Sequence, residues 1–354
     1  MTRFLLAGGG TAGHVNPLLA LAQQLRAEDH EVFALGTKEG LESRLVPERG
    51  FELLTIARLP FPRRLNLKAI AFPFRFLKAT FDVMGLLAKY RIDAVVGFGG
   101  YASAPAYLAA FLSRKPLVIH EANARAGIAN RIGARLTKFV AITYQNSDLS
   151  GAITGMPIRP EIVDSVAGYD KGQARVELGL DPSLPTLLVT GGSLGAKRIN
   201  DAVVQSLPKL KAAGIQVLHI LGDKSEHVAK QEPGYRSMTY CDRMDVAIAA
   251  SDFAISRAGS STVSEFSAVG LPAVYVPYPV GNGEQEFNAV TVCEAGGGLV
   301  RLDKDFDAEF IEAEVIPLIS HSATLKRMSA SAKTMGIPDS TLRLRDLVLD
   351  AVNT

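Results

Sequence analysis

A glycine-rich segment near the amino terminus is the strongest constraint on what this chain can fold into. Residues 7–14, Ala-Gly-Gly-Gly-Thr-Ala-Gly-His, follow the apolar run Phe4–Leu6 and precede an amphipathic stretch that includes Leu18 and Leu25. This order predicts a short buried strand, a tight turn and a helix, which together present backbone N–H groups and a positive helix end to an anion. The glycine spacing matches neither the dinucleotide fingerprint nor the P-loop. The turn therefore predicts an anion site that suits neither NAD nor a P-loop nucleotide.

Length, composition and periodicity indicate two α/β domains. A chain of 354 residues is long for one core, and its 32 glycines fit a fold with many tight strand-to-helix turns. Apolar runs alternate with helical patterns, which predicts parallel sheets with helical crossovers. The predicted strands cover residues 4–6, 32–35, 94–96, 117–119, 139–142, 186–189, 216–221, 253–255 and 273–276. Two prolines and a glycine within residues 155–160 place the domain junction near Pro157.

Cysteine content and hydropathy limit the cellular compartments in which we expect this protein. Cys241 and Cys293 have neither zinc-ligand nor disulfide-framework spacing, which favours a reducing environment. The sequence begins without a secretion-signal pattern, and no run of 18 apolar residues occurs. We therefore expect a protein that is neither secreted nor membrane-spanning.

Charge is distributed unevenly, although the net charge is only +2. Residues 1–157 hold 19 Lys and Arg against 11 Asp and Glu, whereas residues 158–354 hold 19 against 25. The basic excess is densest over residues 58–91, where basic and apolar side chains alternate. The candidate membrane patch consists of Arg63, Arg64, Lys68, Phe72, Phe74, Arg75, Phe76 and Lys78. It suits an anionic membrane surface, and a helix with a solvated basic face is the alternative. The near-neutral net charge of the whole chain argues against nucleic acid as a binding partner.

His14, at the lip of the first turn, is the candidate catalytic group. Its unperturbed pKa lies nearest neutrality among the side chains, so it can take a proton at physiological pH. The alternative is a structural role, in which the imidazole only bonds a neighbouring loop.

The second half of the chain contains two more turns of this kind. Gly191–Gly195 opens this half much as Gly8–Gly13 opens the first. Residues 256–265 predict a strand, a turn and a helix whose first N–H groups, at Ser260–Thr262, can hold a phosphate. Glu265 is expected in the first helical turn, where its carboxylate can accept both hydroxyls of a ribose. The pair Thr262 and Glu265 also fits a capping box, so both interpretations stay open.

Two further signals concern sugar and metal binding. Gln285 can both donate and accept, as recognition of sugar hydroxyls requires, although a lone Gln is usually a surface residue. Asp305-Phe306-Asp307 suggests metal–nucleotide binding, but its charged context before a predicted helix over Ala308–Leu318 favours a solvated helix start. We expect no metal site and no cofactor.

Five motifs, in this order, resemble those of the bacterial family 28 glycosyltransferases. They lie at residues 8–14, 99–105, 120–123, 191–196 and 257–265, and the resemblance extends over nearly the whole chain. It implies the α/β GT-B fold, in which two Rossmann-like parallel-sheet domains are separated by a cleft. The implied domains are an acceptor and membrane-side domain, 1–157 plus 338–354, and a UDP-sugar donor domain, 158–337.

The resemblance also implies the reaction. N-acetylglucosamine would pass from UDP-N-acetylglucosamine, with inversion, to the 4-hydroxyl of the N-acetylmuramoyl sugar of undecaprenyl-pyrophosphoryl-N-acetylmuramoyl-pentapeptide (lipid I). The product would be lipid II for peptidoglycan synthesis, made by a peripheral enzyme at the cytoplasmic face of the cell membrane. The implied catalytic base is His14. The implied donor-binding residues are Thr11, Gly13, Asn123, Arg159, Ser193, Met244, Ser260, Glu265 and Gln285. The implied acceptor-pyrophosphate residues are Gly10, Thr11, Ala12, Gly13, Gly99, Gly100 and Tyr101.

The sequence departs from the family pattern at four positions. Ala122 and Leu194 stand where glutamine is usual, Met156 where asparagine is usual, and Glu284 where histidine or glutamine is common. Each departure weakens one residue assignment and leaves Glu265 and the His14 turn in place.

Three alternative functions stay open. They are a GT-B transferase acting on another lipid acceptor, such as diacylglycerol; a UDP-N-acetylglucosamine 2-epimerase; and a catalytically idle nucleotide-sugar-binding subunit.

Overall fold

Strands and helices alternate along the chain, as the apolar periodicity predicts. The computed structural model describes residues 1–61, 67–192, 195–280 and 283–354, without the side chains of residues 67–69, 160, 165 and 167. The strands are β1 Arg3–Ala7, β2 Glu31–Gly36, β3 Glu52–Thr55, β4 Ala94–Gly97, β5 Leu117–Glu121, β6 Phe139–Ile142, β7 Ala152–Ile153, β8 Thr186–Thr190, β9 Gln216–Ile220, β10 Gln231–Glu232, β11 Tyr235–Met238, β12 Phe253–Ser256, β13 Ala273–Tyr275 and β14 Gly298–Val300. The helices are α1 Ala12–Ala27, α2 Glu42–Glu48, α3 Leu67–Lys89, α4 Ser103–Leu112, α5 Ile128–Gly133, α6 Pro160–Gly168, α7 Lys171–Glu177, α8 Lys197–Ala212, α9 Met244–Ala249, α10 Ser260–Val269, α11 Glu284–Glu294, α12 Ala308–Phe310, α13 Ile316–Ser320, α14 Ser322–Thr334 and α15 Ser340–Val352.

These elements form two compact units, each built on one sheet. The first unit is Met1–Arg159 with Asp339–Thr354, and the second is Pro160–Pro338. The strand orders are β3-β2-β1-β4-β5-β6-β7 and β10-β11-β9-β8-β12-β13-β14. All the neighbouring pairs are parallel except β10 with β11. Two Rossmann-like sheets confirm the predicted fold class.

The order of the strands decides where ligands can bind. In the first sheet β1 lies between β2 and β4, and in the second β8 lies between β9 and β12. The chain direction across the sheet reverses at these strands, and ligands of open α/β sheets bind at such points, outside the carboxyl ends of the strands. The turns after β1 and β4, and those after β8 and β12, are therefore the candidate sites.

Burial on both faces explains the continuous apolar run of β1. Phe4 and Leu6 belong to the core beneath α1, while Leu5 and Ala7 belong to the core on the opposite face. All four are fully buried. A strand covered on both faces has no alternation of polar and apolar residues, as is typical of parallel sheets.

The carboxyl-terminal helix α15 packs within the first unit. Leu344, Val348 and Ala351 join the core that contains Phe4 and Leu18. The Ser340 hydroxyl donates to the Met156 carbonyl oxygen at 2.6 Å, and an ion pair joins Arg345 to Glu28. These contacts anchor the helix on the elements that carry the first turn.

The elements that the sequence did not predict are mostly short or lie toward the edges of the sheets. They are β3, β7, β10, β11 and β14. The β10 residues Gln231 and Glu232 are exposed, and β11 reads Tyr-Arg-Ser-Met, so neither strand shows an apolar run. The helix predicted over Ala308–Leu318 consists of α12, a π turn over Ile311–Val315, and α13. Asp307 caps it by accepting from the Phe310 N–H at 2.9 Å, which supports a helix start rather than a metal ligand.

Shortening a buried side chain of α15 should destabilise the first unit. Leu344 is fully buried, so Leu344→Ala should lower the free energy of unfolding by about 2–5 kcal/mol, through lost burial and a residual cavity. Denaturant unfolding followed by circular dichroism measures this change. Leu342→Ala, on the same helix but with Leu342 41% exposed, should cost far less. Equal losses in the two variants would contradict the docking of α15.

Candidate active site

The turns after β1 and β4 lie side by side in the first unit. The Phe98 N–H donates to the Ala7 carbonyl oxygen at 2.8 Å, and the Ser103 hydroxyl lies 2.9 Å from the same oxygen. Gly100 has φ +89°, and a Cβ there would lie 2.4 Å from the Gly9 carbonyl oxygen. Only glycine combines that backbone conformation with so close an approach. The structure thus brings the two predicted acceptor turns together.

His14 is the third residue of α1 and faces both turns. Its Nδ1 lies 3.1 Å from the Gly9 carbonyl oxygen and 3.3 Å from the Thr11 hydroxyl. A Cβ on Gly99 would lie 3.1 Å from Nε2, so this nitrogen faces the β4 turn. Because the Gly9 carbonyl can only accept, this contact places a proton on Nδ1, and in the neutral ring it selects the tautomer with Nδ1–H. The Nε2 lone pair is then directed at the turn after β4, as a general base on that side requires.

The other predicted acceptor residues lie in the same two turns. Thr11 is the residue before α1 and has an extended backbone, and Ala12 and Gly13 form the first helical turn. Gly10 has φ +88°, which only glycine adopts without strain. The Arg58 guanidinium lies 5.1 Å from the centre of the Tyr101 ring, which orients the side chain that follows Gly100.

A buried hydrogen-bond network holds the segment after β5, which contains Asn123. The Glu121 carboxylate accepts from the Asn123 N–H at 2.9 Å, the Gly127 N–H at 3.0 Å and the Asn130 amide at 2.8 Å. Asn130 in turn accepts from the Tyr107 hydroxyl at 2.6 Å. Asn123 is therefore positioned by its neighbours, and sequence reasoning missed Asn130 and Tyr107.

Glu42 is a second residue that sequence reasoning missed. It is 1% exposed, and its carboxylate accepts from the Gly10 N–H at 2.7 Å and from the Thr37 N–H at 2.8 Å. The signal in the sequence is weak, because Gly36 and Gly40, which precede Glu42, resemble ordinary glycines of a strand-to-helix connection. Only the tertiary structure shows that a buried charge contacts the turn that carries His14.

In the second unit, α10 begins at Ser260 with Gly259 before it. The placement of Glu265 in the first turn is wrong, because it is the sixth residue of the helix and lies in the second turn. The capping-box interpretation is wrong too, since the helix starts two residues before Thr262. The Ser261 hydroxyl oxygen is buried and has no hydrogen-bond partner among the described residues. A helix start with an unsatisfied buried hydroxyl suits a phosphate.

The remaining donor residues are distributed over several elements. Gln285 lies in the first turn of α11, and its carbonyl oxygen accepts from the Tyr278 N–H at 3.0 Å. Met244 begins α9, and Arg159 is the last residue of the first unit before α6. Ser193 lies outside the described residues. Arg257, within the fifth motif, contacts Asp303 at 2.5 Å and the carbonyl oxygens of residues 276 and 277 at 3.2 Å each, so it ties the β12 turn to the end of β13.

The candidate membrane patch is only partly described. Arg63, Arg64 and the side chain of Lys68 lie outside the described residues. Phe72 and Phe76 are half-buried with their rings 6.0 Å apart, whereas Phe74 is 75% exposed. Among the described side chains of α3, the large apolar ones that are exposed are Ile70, Phe74, Leu77 and Phe81. Arg75 donates to the Arg58 carbonyl oxygen at 3.3 Å and Lys78 pairs with Asp82 at 2.8 Å. The outward face of α3 is thus apolar as well as basic.

Comparison with known proteins decides the family. The model of the glycosyltransferase family 28 N-terminal domain matches residues 4–142, and that of the C-terminal domain matches residues 186–344. The chain belongs to glycosyltransferase family 28. The family 28 chain is 53% identical to a Clavibacter sepedonicus protein named UDP-N-acetylglucosamine--N-acetylmuramyl-(pentapeptide) pyrophosphoryl-undecaprenol N-acetylglucosamine transferase, over 99% of this chain and 97% of the relative. It is 47% identical to the protein of the same name from Streptomyces coelicolor, over 98% of each chain.

Comparison with solved structures supports this family assignment. The crystal structure of Acinetobacter baumannii MurG matches with a TM-score of 0.80 and 27% identity, over 99% of this chain and 100% of that one. The spinosyn forosaminyltransferase SpnP, at 15% identity and a TM-score of 0.68 over 98% and 99% of the chains, shows the shared fold alone. The family 28 chain is thus a GT-B glycosyltransferase.

No helix of the described residues is long and apolar enough to cross a membrane. Likewise, no group of three or more His, Cys, Asp or Glu side chains in the described ranges is placed to hold a metal ion.

Because His120 is buried, we expect the first unit to lose stability in acid. Burial lowers the pKa of His120 to about 4 from 6.5, the Gly155 carbonyl that accepts from its Nε2 opposes that shift, and a charge on His14 adds to it. The unfolded chain therefore binds more protons than the folded chain between pH 6.5 and pH 4. The contribution of neutral His120 to the free energy of unfolding is fully present above pH 6.5. As the pH falls from 6.5 to 4, the free energy of unfolding should decrease by up to about 1.4 kcal/mol per pH unit.

Unfolding measured at several pH values tests this. His120→Gln should flatten the slope, and the exposed His321→Gln should leave it unchanged. An unchanged slope in the His120 variant would refute the assignment.

Proposed function

We propose that this chain transfers N-acetylglucosamine from UDP-N-acetylglucosamine to lipid I, giving lipid II for peptidoglycan synthesis. Full-length identity of 45–53% to relatives named for that reaction favours it over a diacylglycerol transferase, an epimerase or an idle binding subunit. The observation in the structure that carries the proposal is His14, with Nε2 facing the glycine turn after β4 and Nδ1 at a carbonyl oxygen.

We propose that the first unit binds the acceptor. Its paired glycine turns present backbone N–H groups, which suit the pyrophosphate of lipid I. Beside Gly100 and Tyr101 lies an apolar pocket lined by residues that include Leu59, Phe72 and Ala104. An anion site next to an apolar pocket suits a lipid-linked pyrophosphate better than a free nucleotide.

In this proposal His14 removes the proton from the acceptor hydroxyl as that oxygen attacks the anomeric carbon. The new glycosidic bond forms on the face opposite the leaving UDP, so the α-linked donor gives a β-1,4 product. The proton passes to Nε2, and the imidazolium keeps its Nδ1–H donor at the Gly9 carbonyl. A well-placed base contributes about 10²–10⁴-fold to the rate.

We propose that the second unit binds the donor. The start of α10, with Ser260 and the Ser261 hydroxyl, suits the diphosphate, and Ser193 would add to it. Glu265, one turn further along α10, is the candidate for the ribose hydroxyls, Met244 for the uracil, and Gln285 for the sugar. The N-terminal N–H groups of α10 would stabilise the charge that grows on the leaving UDP.

Two variants should separate base catalysis from donor binding. His14→Ala should lower kcat about 100-fold or more while the KM for UDP-N-acetylglucosamine stays near its original value. Glu265→Ala should raise that KM, because two hydroxyl contacts to a carboxylate are lost. UDP release measured with and without a lipid I analogue gives both constants. Near-normal turnover of the His14 variant would refute the base role, and an unchanged KM in the other would refute ribose recognition.

We further propose that α3 rests on the cytoplasmic face of the cell membrane. Its exposed Ile70, Phe74, Leu77 and Phe81 recur at helical spacing, and basic side chains flank them. An apolar face bordered by basic residues suits an anionic bilayer surface.

Vesicle binding tests this surface. Phe74→Ser and Phe81→Ser should each weaken binding to vesicles that contain phosphatidylglycerol by roughly 30-fold, since burying a phenylalanine is worth about 2 kcal/mol. Added salt should also weaken binding. Val228→Ser, an equally exposed apolar position in the second unit, is the control and should change nothing. If vesicle binding changes neither with salt nor with the phenylalanine substitutions, the exposed face of α3 contacts only solvent.

A further inference from the structure

Glu42 and His14 contact opposite ends of one peptide group. The Nδ1 of His14 lies 3.1 Å from the carbonyl oxygen of Gly9. The next N–H along the chain, that of Gly10, donates to Glu42 Oε2 at 2.7 Å. This carbonyl and this N–H belong to the same planar amide, whose dipole lies along the line from the imidazole to the carboxylate. The arrangement is thus imidazole, peptide, carboxylate, in hydrogen-bonded series.

The fold makes room for this carboxylate with glycines. A Cβ on Gly9 would lie 2.4 Å from Glu42 Oε1, and one on Gly40 would lie 2.0 Å from Oε2. A Cβ on Gly36 would lie 2.4 Å from Glu42 Cγ. Gly9 from the turn after β1, and Gly36 and Gly40 from the end of β2 and the segment that follows it, therefore close around one side chain. A purely local helix-start contact would not need the glycine from the turn after β1.

The carboxylate is held in its charged form. Burial raises the pKa of Glu42, but hydrogen bonds from the backbone of Gly10, Glu42 and Thr37 and from the Thr37 hydroxyl together bring it below its usual value. A buried anion that accepts several hydrogen bonds is stable as an anion. At neutral pH the peptide is therefore polarised by a full negative charge.

We propose that Glu42 is a positioning residue for His14, acting through the Gly9–Gly10 peptide. The carboxylate draws on the Gly10 N–H and makes the Gly9 carbonyl oxygen a stronger acceptor, because hydrogen bonds in series polarise one another. The stronger acceptor keeps the proton on Nδ1 and leaves the lone pair on Nε2. It also stabilises the imidazolium that forms when Nε2 takes a proton. In many hydrolases a carboxylate bonded directly to histidine does this, whereas here one peptide intervenes.

The inference rests on the proposed function only in its kinetic consequence; the tautomer of His14 can be measured without any substrate. Nitrogen-15 NMR of histidine-labelled protein at mildly alkaline pH should show the Nδ1–H form of His14 in the unaltered chain. A predominant Nε2–H form there would overturn the inference, whatever the variants do.

Glu42→Gln tests the role of the charge, since glutamine keeps the shape and can still accept one N–H. We expect a mixed tautomer, kcat lower by about 10- to 100-fold, and an unchanged KM for the nucleotide sugar. The acidic limb of the kcat profile should move to lower pH, because the imidazolium loses its anionic support. His120 also interacts with the charge on His14, but the pKa of His120, about 4, keeps the His120 ring neutral near neutral pH.

Glu48→Gln is the matched control, because Glu48 lies on the same helix but is 52% exposed and paired with Arg44. It should change none of these readouts. A folded Glu42→Gln protein with the tautomer, kcat and pH profile of the unaltered chain would refute the inference.

The variants also separate the two hypotheses. In the His14→Ala background, Glu42→Gln should have no further effect on kcat. Full activity of His14→Ala would refute the base role and leave the tautomer assignment to the NMR result. Loss of activity in His14→Ala, with none in Glu42→Gln, would refute the role of Glu42 alone.

Discussion

The close approach of the turns after β1 and β4 is the contact on which the rest of the first unit's site depends. The Gly9 carbonyl oxygen would lie 2.4 Å from any Cβ on Gly100, so the two turns meet backbone to backbone. This approach brings Nε2 of His14 to Gly99, and it is possible only because β1 and β4 pair in parallel and end at the same sheet edge. A side chain at Gly100 would push the turn after β4 away from the turn that carries His14.

The same design recurs in the second unit with different chemistry. There β8 and β12 pair in parallel, and the turns that follow them carry the second glycine-rich segment and the start of α10. The first unit places an ionisable imidazole at its switch point, whereas the second places helix N–H groups and serine hydroxyls. In the proposed reaction an acceptor must lose a proton and a leaving diphosphate must be stabilised, and each unit, taken by itself, offers groups suited to one of these tasks.

Much of the fold was predictable, because its strands are buried on both faces and read as continuous apolar runs. All nine predicted strands occur, and Arg3–Ala7 and Thr186–Thr190 extend the predicted ones by one or two residues. The short edge strand Gln231–Glu232 was not predictable, since its exposed polar residues resemble a loop. Glu265 was placed one helical turn too early, because the pattern Thr262-x-x-Glu265 imitates a helix start that the chain makes at Ser260.

The sequence by itself determined the α/β class, the glycine-rich turns, the resemblance to family 28 and the candidacy of His14, because all of these depend on residues near one another in the chain. Only the tertiary structure decided how closely the turns after β1 and β4 approach each other, which residues of α15 enter the core, and that Glu42 lies behind His14. Glu42 is 28 residues from His14, and its contact with Gly10 arises from the parallel pairing of β1 with β2. A buried charge of this kind leaves no periodic signal in the sequence, because its partners are backbone groups that every residue possesses.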